Sequence, residues 1–278
     1  TRFVLPSATG HRLTTADGEV LYAFAKAPKD GQVPVDGAVL IGPVPDRSSE
    51  CIDLRASKWL VHPAVGGPET GAARARETWL NGFRYVGEDE VTSGRIGLRR
   101  PQLGALHAIH AHWSTSKDVA TVVMPTGTGK TETMLATLVS ARCVRVLVLV
   151  PTDALRAQIA LKFFTLGILK DPRSSLLQPG VVRPVVGMLT KMPATPEEVE
   201  EFFRQCNVVV TTSALAGRCS PEVQARMAEL CSHLFIDEAH HAEAATWKRF
   251  KSHFKGQSLI LQFTATPFRE DGKPLDGK

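Results

Sequence analysis

The sequence predicts an α/β protein: a mostly parallel sheet covered by helices on both faces, preceded by a small mixed α+β domain. Three observations predict it. Apolar and helix-like runs alternate along the chain from about residue 96 onward. The apolar runs, such as "VRVLVLV" at 144–150, are continuous in Val and Leu, as strands buried on both faces require. Ahead of residue 96 the texture differs, with short apolar runs broken by Gly and Pro.

In that first stretch, "KAPKDGQVPVDG", "IGPVPD" and "HPAVGGPETG" are turn signals. Between them lie strand-like runs, "EVLYAFA" (19–25) and "AVLIG" (38–42), and a helix over "ETGAARARETWLNGF" closed by Gly82. Residues 1–95 therefore read as an N-terminal accessory domain or extension, and 96–278 as the second domain. There the helical "RPQLGALHAIHAHW" leads to a strand at 119–124 and a helix from Gly129 to about Arg142. Next come the strand 144–150, a helix through "DALRAQIALKFF", the run "VVRPVVGML" and a Pro-started helix "TPEEVEEFFRQ". The strand "NVVVTT" (207–212), a helix begun by "SPEVQ", the strand "SHLFID" (232–237), a helix at 243–254 and the strand "SLILQFTAT" (258–266) complete the series.

Composition sets outer bounds. Of the 278 residues, 43% are apolar and 22% charged, which suits a globular protein with a sizeable core. No apolar run approaches the roughly 20 residues of a membrane span. No charged-then-apolar leader opens the chain, and Cys51, Cys143, Cys206, Cys219 and Cys231 are odd in number without zinc-site pairing. A reducing, cytoplasmic setting is expected. Residues 1–95 carry 11 Lys/Arg against 12 Asp/Glu, whereas residues 96–278 carry 22 against 16, so the positive excess lies in the second domain. That excess suits a polyanionic partner.

The chemistry is concentrated in two places. "PTGTGKT" (125–131) lies between a strand and a helix and fits the phosphate loop: glycines let backbone N–H groups turn toward phosphate oxygens. Thr126, Gly127, Thr128, Gly129, Lys130, Thr131 and Glu132 are the expected nucleotide contacts. Lys130 would reach the β- and γ-phosphates, and Thr131 would place its hydroxyl on Mg²⁺. The second place is "LFIDEAHH" (234–241), an apolar run ending in two acids. Asp237 would hold Mg²⁺ and Glu238 would orient and deprotonate the attacking water.

Together, "PTGTGKT", "DEAH" (237–240) and "FTATP" (263–267) resemble motifs I, II and III of superfamily 2 helicases and translocases, in the right order for one RecA-like lobe. "LVPTDALRAQ" (149–158) resembles motif Ia, "VVVTTSAL" (208–215) motif Ib, and "LRRPQLGAL" (98–106) the glutamine-bearing segment that reads adenine. The likeness covers residues 96–272, and "DEAHHAEAATW" with "FTATPFREDGKPL" is most similar to the group containing restriction-enzyme translocase subunits. The resemblance implies an adenine contact by Gln102, although Arg-Arg-Pro-Gln replaces the commoner Arg-Pro-Tyr-Gln order. It implies nucleic-acid contacts by Pro151, Thr152, Arg156 and Thr211, with His240, Thr264 and Thr266 coupling the two sites.

The same resemblance implies ATP and Mg²⁺ as cofactors, and nucleic acid as partner, with duplex DNA favoured over RNA. It also implies a second RecA-like lobe with an arginine, expected elsewhere in a longer protein because the chain stops eleven residues after "FTATP". A nuclease or methylase neighbour is among the partners it suggests. The alternative is an ATP-gated nucleic-acid-binding or sensor module that does not translocate. A small-molecule kinase on the same loop leaves "FTATP" unexplained.

Other candidates are weaker. His107, His110 and His112 lie close in sequence, but only His107 and His110 share helical spacing, so no metal site is expected. Tyr85, 17 residues before Gln102, could stack on adenine but is read as a core aromatic. His241 is read as a local hydrogen-bonding residue, and the acids of residues 36–53 with Lys58 as no nuclease centre.

Overall fold

The computed structural model of the protein describes residues 2–5, 8–14, 20–29, 38–42, 57–61, 70–92, 94–238 and 245–265. The chain divides into two compact units at Gly71–Ala72. The first holds strands β1 (Arg2–Leu5), β2 (Ala8–Thr14), β3 (Val20–Phe24), β4 (Ala38–Ile41) and β5 (Lys58–Val61), in that spatial order. Neighbours are antiparallel except β3 and β4, which are parallel. Tyr22, Ala23, Phe24, Ala38, Val39 and Leu40 are its buried hydrophobic residues among those described. The sequence announced β3 and β4. "RFVL", "ATGHRLT" and "KWLV", which form the others, are short and carry charged or glycine positions in place of an apolar pattern.

Residues 72–95, expected in the first domain, fall in the second unit, where their polar groups are strapped to residues 173–182. Helix α1 (Thr70–Thr78) ends where the Thr78 hydroxyl accepts from Val182 N at 2.9 Å and Trp79 Nε1 donates to Val182 O at 2.9 Å. Bridges pair Phe83 with Leu177 and Ile96 with Ser174.

The rest of this unit is the expected parallel sheet. Its strands are β6 (Ala120–Val123), β7 (Val146–Val150), β8 (Val186–Met188), β9 (Val208–Thr212), β10 (His233–Ile236) and β11 (Leu259–Thr264). They lie in the order β6-β11-β10-β7-β9-β8, every neighbouring pair parallel. Strand parity sorts side chains to two faces. Val146, Val148, Val150, Val208 and Val210 enter one core with helices α2 (Arg100–Thr115), α3 (Lys130–Ser140) and α4 (Asp153–Thr165). Leu147, Leu149, Val209, Leu234 and Ile236 enter the other with α5 (Pro196–Arg204), α6 (Ser213–Arg218), α7 (Pro221–Leu230) and α8 (Ala245–Phe254).

Helix starts follow from local chemistry. Thr195 and Ser220 cap α5 and α7 just before Pro196 and Pro221, each side-chain oxygen accepting a backbone N–H three residues on. Helix ends depend on a residue that no sequence pattern marks. Arg145 donates to Leu230 O at 2.7 Å and Cys206 O at 3.1 Å, satisfying carbonyls at the ends of α7 and α5. Among the described residues, no helix is long and apolar enough to cross a membrane.

Candidate nucleotide-binding site

Strand β6 is an edge strand, but its ladder runs on past Val123, since Met124 N donates to Thr264 O at 2.9 Å. The phosphate-loop segment therefore leaves the sheet beside the end of β11. Pro125 to Thr128 form a turn, in which Pro125 O accepts from Thr128 N at 3.3 Å and from Thr128 Oγ1 at 2.6 Å. Gly127 and Gly129 have φ of 83° and 98°, a backbone region that side chains disfavour, so glycine is required at both. Gly129 caps α3, which puts Lys130 and Thr131 in the first turn, at the positive end of the helix dipole.

The two acids leave β10, two strands away. Asp237 N donates to Leu149 O at 2.9 Å, which fixes the backbone as the strand ends. The Asp237 side chain is buried, and its Oδ1 has no hydrogen-bond partner. Burial, then the neighbouring Glu238, push its carboxyl above the usual carboxylate range, while Lys130 pulls it down. Glu238 has φ of 52°, left-handed for a residue with a Cβ, which costs about 1–3 kcal/mol when the surroundings impose it. That backbone turns its carboxylate to the loop, where Oε1 accepts from Lys130 Nζ. The pair is largely buried, the two side chains being 10% and 22% exposed.

The structure thus brings Lys130, Asp237 and Glu238 together, with Thr131 half-buried beside them on α3. Thr126 and Gly127 are exposed, Thr128 is bonded within its own turn, and Glu132 pairs with Lys162 of α4 at 3.0 Å. Gln102 departs from its expected role. It is 2% exposed, and its Oε1 accepts from Arg99 N at 2.8 Å at the start of α2, so it is not open to a base.

The expected nucleic-acid residues divide. Pro151 is half-buried and Thr152 exposed, the latter capping α4 by accepting from Leu155 N at 3.3 Å. Arg156 pairs with Asp153 at 2.7 Å. Thr211 cannot meet a sugar–phosphate backbone as placed: it is 0% exposed, and its hydroxyl donates to Leu189 O at 3.1 Å. Thr264 is buried within β11, while His240, His241 and Thr266 lie outside the described residues, as do the acids of 36–53.

Tyr85 is not a core aromatic. It is 42% exposed, stacks on His107 with ring centroids 5.3 Å apart, and bonds His110 through its hydroxyl at 3.3 Å. His112 Nε2 bonds Asp118 O at 3.0 Å, and no metal-holding cluster occurs among the described residues. Sequence reasoning missed Arg99, whose Nη1 donates to Gly127 O at 3.0 Å. The only signal was its position three residues before Gln102.

A glycine loop opening a helix at one strand end, with paired acids at another strand end in the same parallel sheet, defines a P-loop domain of the RecA-like kind. The family model described as "Type III restriction enzyme, res subunit" matches residues 95–269, and the chain belongs to that family. With its motif order, this makes the matched region the first RecA-like lobe of a superfamily 2 helicase-type protein.

Solved structures similar to it include a nuclease-deletion mutant of the Type ISP restriction-modification enzyme LlaGI in complex with a DNA substrate mimic. That likeness has 19% identity over 66% of this chain and 18% of that one, with a TM-score of 0.42. The UvsW helicase from bacteriophage T4 has 16% identity, over 72% of this chain and 62% of its own, with a TM-score of 0.45. The SWI2/SNF2 ATPase core of Sulfolobus solfataricus in complex with dsDNA has 18% identity, over 62% and 33%, with a TM-score of 0.44. The chain therefore spans less than two thirds of the length of each of these structures. No curated protein matches it.

Proposed function

We propose that this chain is the ATP-binding lobe of a motor that hydrolyses ATP to move along or unwind nucleic acid, with duplex DNA as its track. The observation that carries the reading is the meeting of Lys130 and Glu238, 108 residues apart in the chain, beside an Asp237 oxygen that is buried without a partner. A buried carboxylate oxygen left unbonded is costly, and it fits a magnesium–nucleotide: Asp237 and the Thr131 hydroxyl would hold Mg²⁺. The metal would supply positive charge against the phosphates. Lys130 donates to phosphate oxygens when they are present, which frees Glu238 Oε1 to accept the proton of an attacking water.

A second lobe of a longer protein would complete the cleft and contribute an arginine. A nuclease or methylase would be a natural neighbour, and the unit ahead of Ala72 would act as an accessory domain. The test is ATP turnover by the intact protein with and without duplex DNA, together with directional displacement of a bound block. DNA-stimulated turnover with displacement is expected. Stimulated turnover with no displacement would mean an ATP-gated binding or sensor module instead, and stimulation by RNA alone would replace the track.

A further inference from the structure

We infer that Arg99 is a positioning residue for the phosphate loop, clamping it from the start of α2; the inference rests on the nucleotide-site reading above. The clamp has two arms that share one helix terminus. In the first, Arg99 Nη1 reaches 28 residues along the chain to Gly127 O at 3.0 Å. In the second, Gln102 is locked by its bond to Arg99 N at 2.8 Å, and its amide lies against Gly129 so closely that a Cβ there would stand 1.9 Å from Nε2. Gly127 and Gly129 are the two loop residues with left-handed backbones. The start of α2 therefore touches the loop at both of its conformationally special positions.

The anchor under this clamp is firm. Leu106 and Ile109 bury α2 in the core, with 0% and 1% exposure. The adjacent Arg100 is turned away, donating through Nε to Asp89 at 2.8 Å, so Arg99 is the arginine that faces the loop. The consequence comes from peptide planarity. The Gly127 carbonyl and the Thr128 N–H belong to one rigid unit and point in opposite directions. Holding the carbonyl on Arg99 fixes where the Thr128 N–H points, and that N–H closes the turn onto Pro125 O at 3.3 Å. Arg99 thus sets the peptide orientation on which a phosphate cradle depends.

The experiment compares Arg99→Ala, Arg99→Lys and Lys130→Ala in the full chain. Two readouts are taken: hydrogen exchange over residues 125–129 in the nucleotide-free protein, and affinity for MgATP. Arg99 is exposed, and the start of α2 uses its backbone N–H and carbonyl, so the substitutions leave the fold intact. Arg99→Ala should speed exchange across the loop and weaken MgATP binding roughly tenfold, the scale of one hydrogen bond from a charged donor. Arg99→Lys, which keeps a donor and the charge, should recover most of both. Normal loop exchange in Arg99→Ala would overturn the inference, whatever its affinity. So would recovery of affinity but not of exchange in Arg99→Lys, because charge alone would then explain the effect. Failure of the wild type to bind MgATP, or equal binding by Lys130→Ala, would sink the nucleotide reading while the exchange data still judged the clamp.

Discussion

Where β6 and β10 end, the long polar side chains of Lys130 and Glu238 turn toward each other across the sheet edge; at the ends of β7 and β9, the Thr152 hydroxyl turns back onto its own helix start and the Thr211 hydroxyl onto the neighbouring backbone at Leu189. Three follow parallel strands of one sheet and Thr211 lies in the last residues of β9, at the end where ligands of such folds bind. The difference is reach and local demand. A lysine and a glutamate span the gap between two strand ends. A threonine beside a helix start or a neighbouring carbonyl satisfies that nearer group first. Position in a motif therefore locates a residue along the sheet, but it assigns a job securely only to side chains long enough to leave their own element.

The most forceful way to break this comparison is at the first region. The loop and the acids are assembled, so residues 1–278 alone should fold and bind nucleotide weakly with Mg²⁺. An arginine supplied by a second lobe is worth roughly 10³ to 10⁵ in rate. On the proposed reading that a longer protein supplies that lobe, turnover by the purified chain should fall below that of the longer protein by a factor in that range, with no rescue by duplex DNA. In the intact protein, Lys130→Ala should abolish nucleotide binding, while Glu238→Gln should keep binding and stop hydrolysis. Near-native turnover by Glu238→Gln would remove Glu238 as the base.

Gly129→Ala sharpens the same region. Alanine at φ of 98° is strained by about 1–2 kcal/mol, and its Cβ meets Gln102 Nε2. Nucleotide affinity should drop roughly five- to thirtyfold by the first effect alone. Adding Gln102→Ala removes the collision but not the backbone strain, so recovery should be partial. Full recovery, read by nucleotide titration, would mean that the left-handed backbone is not needed.

The parallel sheet was legible because "VLVLV" and "VVV" can be satisfied only by burial on both faces. Lys130, Asp237 and Glu238 were legible because strand, loop and helix leave them little choice of place. The same burial hid Thr211: in a strand apolar on both faces, period two gives no sign of which way a threonine points. Arg99 was hidden because arginine is not a capping residue, and its partner, a backbone carbonyl, has no sequence signature. Gln102 was found as a residue of the site but misjudged in direction, because a glutamine three positions into a helix can fold back on the capping N–H.

At the second region, Thr211→Val should cost about 1 kcal/mol of stability in urea denaturation, the scale of one buried hydrogen bond, because Leu189 O loses its donor. The salt dependence of DNA binding should not change. Thr152→Ala should also cost about 1 kcal/mol through loss of the α4 cap. If Thr211→Val flattened the log–log salt slope, the buried placement of this side chain would not hold in the DNA-bound protein.

The smallest expected effect decides how far the second region differs from the first. Each phosphate neutralised contributes about 0.7 to 0.9 to the log–log salt slope of nucleic-acid binding. The Arg156 side chain is 13% exposed and carries Asp153 at 2.7 Å, so its charge reaches a phosphate only if that pair opens. The pair itself holds weakly, because Asp153 is 78% exposed and such pairs contribute little. Arg156→Ala should therefore flatten the slope by less than one unit. Asp153→Asn should do the reverse, steepening it slightly and tightening binding at low salt, because Arg156 then faces the track without a competing carboxylate. Opposite signs in the two variants would place Arg156 on the nucleic acid and Asp153 as its restraint. Identical slopes in both would leave the pair as a structural feature of α4, and the contrast between the two strand ends would be complete.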